Sequence, residues 1–468
     1  MVLQSSGLSK VKDSLTQKIF LGNEPNAELI AILTVYFVQG ILGLSRLAVS
    51  FFLKDELLLS PVQVSALFGI VLLPWMIKPV FGFISDGLPI FGYRRRPYLI
   101  LSGILGTASW VSLATIVHTT WAATLAIALS SLSVAMSDVI VDSLVVERAR
   151  GESQAKAGSL QSVCWGASAI GGLITAYFSG LLLQYFTTRT VFGITALFPL
   201  IVSGVAWLIA ESPVSKDSQD NTNSLPIKHQ LKQLRQAITQ KTIWLPTAFI
   251  FVWQATPSAD SAFFYFSTNE LHFEPEFLGR VHLVTSFASL AGVWIFQRFL
   301  KSIPFRVIFA WSTVLSSILG MTMLLLVTHT NRRLGIDDHW FSLGDSVVLS
   351  VMGQIAFMQV MVLAARLCPS GVEATLFALL MSVFNSAGTV SRAFGALITY
   401  WLGITATNFE SLWLLVLITN LSTLLPLPFI NWLPAEEQTE TPKDSEKPFL
   451  PDLMSELVLR EPESKIVE

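Results

Sequence analysis

Gly82-Phe83-Ile84-Ser85-Asp86-Gly87, followed closely by Gly92-Tyr93-Arg94-Arg95-Arg96-Pro97, lies between two long apolar runs. A glycine, an acid four residues on and a tight basic cluster mark a hairpin between two membrane helices. Gly82 is expected to let two helices approach closely, because it has no side chain to hold them apart. Asp86, at a helix end, is placed to hold a cationic partner on a neighbouring helix. Arg94, Arg95 and Arg96 should hold the hairpin at the cytoplasmic face, where lysine and arginine collect.

Composition agrees with a chain surrounded by lipid. Of 468 residues, 52% are hydrophobic and 13% charged, and the mean hydropathy is +0.60. A soluble protein carries about 25% charge. The net charge of −2 leaves no electrostatic footprint for nucleic acid. Cys164 and Cys368 lie in or beside apolar segments and have neither CxxC nor zinc spacing. No P-loop, HExxH, GxSxG, EF-hand or dinucleotide fingerprint is present, so no catalytic residue, cofactor or metal is expected. Six histidines read as loop or end residues.

Apolar runs long enough to cross a bilayer, about 20 residues each, occur near 29–52, 62–84, 97–117, 121–145, 157–184, 190–210, 243–267, 277–299, 305–328, 344–366, 372–402 and 409–432. The expected fold is an all-α membrane protein of twelve transmembrane helices in two six-helix bundles. Residues 1–27 form an N-terminal segment, 28–210 and 243–433 the bundles, 211–242 a polar central loop and 434–468 a charged, disordered tail. With the N-terminus in the cytoplasm, 22 lysines and arginines fall inside and five outside. Without the long loop and the tail, 13 still oppose five. Both termini are therefore expected in the cytoplasm. The first 27 residues lack a transit composition, and the first apolar run lacks a cleavage site and reads as a retained helix. A shift of about 220 residues lays Gly151 on Gly371 and Ser162-Val163 on Ser382-Val383, a weak internal match of the kind parallel repeats leave.

Six ionisable residues fall within the spans: Arg46, Lys78, Asp138, Asp142, Asp260 and Arg392. At roughly 2.5–3.5 kcal/mol each, they cost on the order of 15–20 kcal/mol gross unless they pair or face water. Counted by depth at about 1.5 Å per residue, Lys78 matches Asp138 and Asp260 matches Arg392, which suggests two pairs. Arg46 and Asp142 are left over. Arg46 either snorkels to the outer interface or clamps a carboxylate in bidentate fashion. Gln39, seven residues earlier, would share its face. Asp138 and Asp142, four apart, share a helix face, so one of them suits a proton carrier. Asp142 could instead be solvated or pair with Arg148. Asp260 follows Pro257, and a proline inside a span often marks a discontinuous helix at a binding site. Gln354, Gln359 and Asn385 serve either a cavity or interhelical hydrogen bonds. Most of the 13 tryptophans and 32 phenylalanines are packing or lipid-facing residues.

Three stretches resemble the folate–biopterin transporter family of the major facilitator superfamily. They are Lys78-Pro79-Val80-Phe81-Gly82-Phe83-Ile84-Ser85-Asp86 with its continuation through Gly92 to Tyr98, Ser137-Asp138-Val139-Ile140-Val141-Asp142 through Arg150, and Leu367-Cys368-Pro369-Ser370-Gly371-Val372-Glu373 through Ser382. The first points only to the superfamily; the other two are more specific. The superfamily pattern usually has arginine after the aspartate, where this chain has Gly87, and Leu88-Pro89-Ile90-Phe91 lengthens the loop.

The resemblance implies the major facilitator fold, with a central cavity between the bundles, and proton-coupled transport of folates, pterins or antifolates by alternating access. A folate has an anionic glutamate tail, for which Arg46 with Gln39 is the candidate clamp. Its pterin edge presents adjacent N–H donors, which Asp142 or Asp138 could accept. Asp260, Gln354 and Arg392 complete the candidate substrate-binding set, and Asp142 and Asp138 the candidate proton site. Lys78, Gly82, Asp86, Arg94, Arg95, Arg96, Arg148, Gly371 and Glu373 are candidate gating and structural residues, with Asp86, Arg148 and Glu373 as the latch. A monomer in a bacterial inner membrane, cyanobacterial in type, is expected, with protons, substrate and lipid as its partners. A carrier of another organic anion or a drug would share these features, whereas a receptor or scaffold would need the buried charges to be purely structural.

Overall fold

The computed structural model describes residues 20, 23–149, 154–213, 239–300, 303–367 and 373–434. These residues are helical apart from turns, loops and one isolated bridge between Ile90 and Tyr93. The N-terminal bundle holds α1 (Ala27–Glu56), α2 (Pro61–Ser85), α3 (Arg96–Thr115), α4 (Thr120–Ala149), α5 (Gln154–Tyr185) and α6 (Thr188–Leu208). The C-terminal bundle holds α7a (Lys241–Gln254), α7b (Asp260–Asn269), α8 (Pro275–Leu300), α9 (Arg306–Val327), α10 (Asp338–Leu367), α11 (Glu373–Trp401) and α12 (Leu412–Trp432). Ten of these rods are long and apolar enough to cross a membrane; the broken α7 and α11 fall outside that set. Gly371, Cys368, most of the central loop and the tail lie outside the described residues.

Local chemistry sets where the helices begin. The Asn26 side chain accepts the Leu29 N–H at 2.8 Å and caps α1. Ser60 and Gln63 form a reciprocal capping box before α2, with Pro61 in the first turn. Two of the interruptions bear on the candidate site. Regular α-helix in α1 stops at Ile41 and resumes at Leu44. In α7, Pro257 has no N–H to give the ladder, and the helix breaks between Gln254 and Asp260.

The bundles meet along two seams, α5 against α8 and α2 against α11. In the first, Gly180 and Gly279 face one another. A Cβ on Gly180 would stand 2.3 Å from the Pro275 carbonyl oxygen, so only hydrogen fits there. Gly82 is not such a point. A Cβ there would meet Val139 Cγ1 at 3.7 Å, ordinary contact distance, because α2 passes α4 there with room to spare.

Odd helices start, and even helices end, on the side where Asn23 and Pro434 lie, called the termini side; the opposite side is the far side. Bonds between the bundles concentrate at and toward the far side. Lys54 Nζ donates to Asn269 Oδ1 at 2.8 Å, and Gln184 Nε2 to Glu274 Oε2 at 3.3 Å. The Tyr265 hydroxyl donates to the Leu59 carbonyl, and Ser65 Oγ to the Arg392 carbonyl at 3.0 Å. Tyr265 is also a member of the apolar cluster built by α1 to α4 and α6. Past the middle of α2, Thr389 Oγ1 of α11 still reaches Met76 Sδ at 3.7 Å; the contacts of the α2–α3 hairpin stay within one bundle.

Candidate functional site

The α2–α3 hairpin is fastened within the N-terminal bundle. The Glu211 carboxylate accepts the backbone N–H groups of Arg94, Arg95 and Arg96 at 2.5, 3.0 and 2.9 Å. It thereby occupies the positive start of α3. The Arg95 side chain is buried, donating to Glu147 at 2.6 Å and to Ser85 at 3.1 Å. Arg96 lies against the rings of Tyr93 and Trp207. Arg148 donates to Asn26 Oδ1 at 2.8 Å, and Glu28 stands 3.4 Å away. Arg148 thus ties α4 to the start of α1 and leaves Asp142 to another partner. The side chains of Asp86 and Glu373 lie outside the described set.

Deeper in the same bundle, α4 presents its two carboxylates to different helices. Lys78 of α2 donates to Asp138 and lies 4.9 Å from the Trp75 ring centroid. The Tyr36 hydroxyl of α1 donates to Asp142 Oδ1 at 2.5 Å. Sequence analysis gave no sign of Tyr36. It stands 106 positions from its partner, and a lone tyrosine in an apolar helix reads as packing.

Three basic side chains lie inside spanning helices, Arg46 in α1, His282 in α8 and Arg392 in α11. The Arg46 side chain, in α1, is solvent-accessible. Arg392 of α11 and His282 of α8 both lie close enough to act on Arg46 electrostatically. His282 is likewise accessible within dense surroundings. It corrects the reading of every histidine as a loop or end residue, since it sits inside α8. Among the described residues no carboxylate forms an ion pair with Arg46, Arg392 or His282. The expected Asp260–Arg392 pair is therefore not made. One Arg392 nitrogen donates to the Gly388 carbonyl at 3.2 Å instead, while Asp260 is exposed at the start of α7b.

Asp260 and Arg392 both line a cavity of about 420 Å³ within the C-terminal bundle, bounded by α7, α9, α10, α11 and α12. The α7 break brings it about. Ser258 N–H donates to the Ser391 carbonyl at 3.3 Å, and Ser391 Oγ to the Thr256 carbonyl at 2.6 Å. Gly395 has no room for a Cβ, which would stand 1.9 Å from the Ser258 carbonyl oxygen. Two candidates go elsewhere. Gln39 lines a small cleft among α1, α3, α4 and α6. Gln354 packs beside Gly292 at the α8–α10 seam.

Residues 39–449 match the family model described as the BT1 family. The chain belongs to the BT1 family. It is 62% identical over 442 residues to a folate-biopterin transporter of Synechocystis sp., covering 94% of this chain and 88% of that one. It is 32% identical to folate transporter 2 of Plasmodium falciparum (89% and 90% covered) and 32% identical to a probable folate-biopterin transporter 2 of Arabidopsis thaliana (88% and 83% covered). Among solved structures this BT1 member resembles the nucleoside transporter NupG, with a TM-score of 0.65 at 13% identity over 86% of this chain and 98% of that one. It also resembles a D-xylose-proton symporter, with a TM-score of 0.62 at 16% identity over 87% and 98%. The fold is that of major facilitator transporters. This is an integral membrane protein built to move a solute, and not an enzyme.

Proposed function

We propose that the protein is a proton-coupled carrier of folates and pterins that works by alternating access. The bundles at 28–210 and 243–433 rock about a central site. It acts as a monomer in a bacterial inner membrane with both ends in the cytoplasm, in keeping with the lysine and arginine bias. The names of the relatives support the substrate class. The observation that carries the reading is that Arg46 and Arg392, two permanent cations close enough to act on each other, have no carboxylate paired to them among the described residues. Cations in low dielectric need a counter-charge, and a solute carboxylate supplies it. Arginine binds such a group through two parallel N–H donors.

Lys78 already balances Asp138, which makes that pair structural. Asp142 is the carboxylate left to take up and release a proton, with Tyr36 as its switchable partner. When Asp142 is ionised it holds the Tyr36 hydroxyl, and on protonation it releases its grip on α1. The far-side bonds fit a state closed to the outside. The Gly180–Gly279 contact must part when the bundles rock.

The test is uptake of labelled folic acid into liposomes holding the purified protein, with competitors. Inhibition by excess unlabelled folate and biopterin, with none by an unrelated dicarboxylate, is expected. Inhibition by the dicarboxylate alone would favour a carrier of another organic anion.

A further inference from the structure

We infer that the cavity in the C-terminal bundle is the subsite for the 2-amino-4-oxo-pteridine ring, with Asp260 accepting its N–H edge and Arg392 donating to its 4-oxo oxygen. This rests on the folate reading above and adds which end of the solute goes where.

Free hydrogen-bonding capacity decides the matter. A pterin edge presents one acceptor, O4, beside two donors, N3–H and the 2-amino group. It needs an acid with both oxygens open next to a cationic donor. Neither acid of α4 qualifies, since Asp138 is held by Lys78 and Asp142 by Tyr36. Asp260 qualifies: among the described residues no donor reaches its carboxylate, and it lines the same cavity as Arg392.

The rest of the wall is complementary. Several of its hydroxyls have spent their proton on a backbone carbonyl. Ser391 donates to Thr256 at 2.6 Å, Thr423 to Asn420 at 2.7 Å and Thr419 to Val416 at 3.1 Å. What they leave for a ligand is acceptor lone pairs, which suits a ring rich in N–H groups. The Gln254 amide, also on the wall, makes no hydrogen bond among the described residues and can serve either need. Trp253 supplies an aromatic wall, its own edge-on contact being with Phe309 at 6.0 Å. A planar heterocycle packs well against such a ring. The volume falls within the range of about 300–1,000 Å³ common to small-molecule sites. A ring seated here leaves the glutamate tail for Arg46, the anion site proposed above.

Equilibrium binding to the purified full-length protein, using two half-ligands, tests this. Biopterin carries the ring without the glutamate tail, and p-aminobenzoylglutamate carries the tail without the ring. Asp260→Asn keeps the shape of the side chain and removes its charge. It is expected to weaken biopterin roughly 10- to 100-fold, the effect of losing hydrogen bonds to a charged group, and to affect p-aminobenzoylglutamate little. Arg46→Ala is expected to do the reverse. Biopterin binding that ignores Asp260→Asn overturns the assignment. So does equal loss of both probes in a variant that elutes and unfolds like the parent. If the parent binds the tail but not biopterin, the ring subsite is wrong. If it binds neither, the folate reading itself has failed, and the subsite with it.

Discussion

Tyr36 on α1 donates its hydroxyl to Asp142 on α4 at 2.5 Å, so the proposed proton site is also a link between two helices of the N-terminal bundle. Removing the hydroxyl should uncouple one role from the other. Tyr36→Phe is expected to keep folate binding and to lower gradient-driven uptake by about tenfold, the cost of one strong hydrogen bond. Initial rates in liposomes with and without a pH step check it.

Lys78 and Asp138 balance each other inside the bundle and leave little charge for a solute. Deleting one partner strands the other. Lys78→Met or Asp138→Leu alone is expected to destabilise the protein by about 3–5 kcal/mol, and the double variant to recover most of that loss. Thermal unfolding of the detergent-solubilised protein gives the comparison. Two independent, additive losses would mean that the pair is not coupled.

Gly180 and Gly279 set the distance between α5 and α8 on the far side. Gly279→Leu cannot fit while the Gly180 Cα lies within 2.8 Å of the Cβ position. Its expected effect is to push the far side open and stop transport while leaving the protein folded. A cysteine placed at Gln184 should then react faster with a membrane-impermeant thiol reagent than it does in the parent.

Lys54 and Asn269 bridge the bundles at the same end. Asn269→Ala removes that acceptor, although Lys54 keeps Asp55 at 2.6 Å. A milder opening is expected, with transport retained at a reduced rate. The same thiol assay ranks it between the parent and Gly279→Leu.

Much of this was legible in the sequence because membrane helices announce themselves locally. Each apolar run maps onto one helical rod except the seventh, which maps onto two short helices, and Pro257 marked that α7 break because a missing N–H acts within one turn. The Lys78–Asp138 link followed from depth, since two charges at one level in low dielectric seek each other. For Asp260 and Arg392 depth led to one cavity but not to a pair, because equal height and a common facing do not fix the gap between two side chains. The seven-residue spacing from Gln39 to Arg46 spans the interruption of α1, so it does not by itself fix a common face. His282 was overlooked although it sits in an apolar run seven residues after Pro275, a position at which a histidine faces either a cavity or a partner. The cavity in the C-terminal bundle draws on five helices, so Pro257 could point to its α7 wall but no local pattern could show the other four.

The most direct measurement is accumulation of labelled folic acid in liposomes under an inward proton gradient, for the parent, Asp142→Asn and Arg46→Ala. The parent should concentrate folate above the outside level only while the gradient lasts. Asp142→Asn should retain exchange of folate across the membrane but lose gradient-driven accumulation, and Arg46→Ala should lose both. Accumulation by Asp142→Asn equal to that of the parent would contradict the assignment of the proton to this carboxylate. Uptake by Arg46→Ala at the parent's rate would contradict the anion site between the bundles.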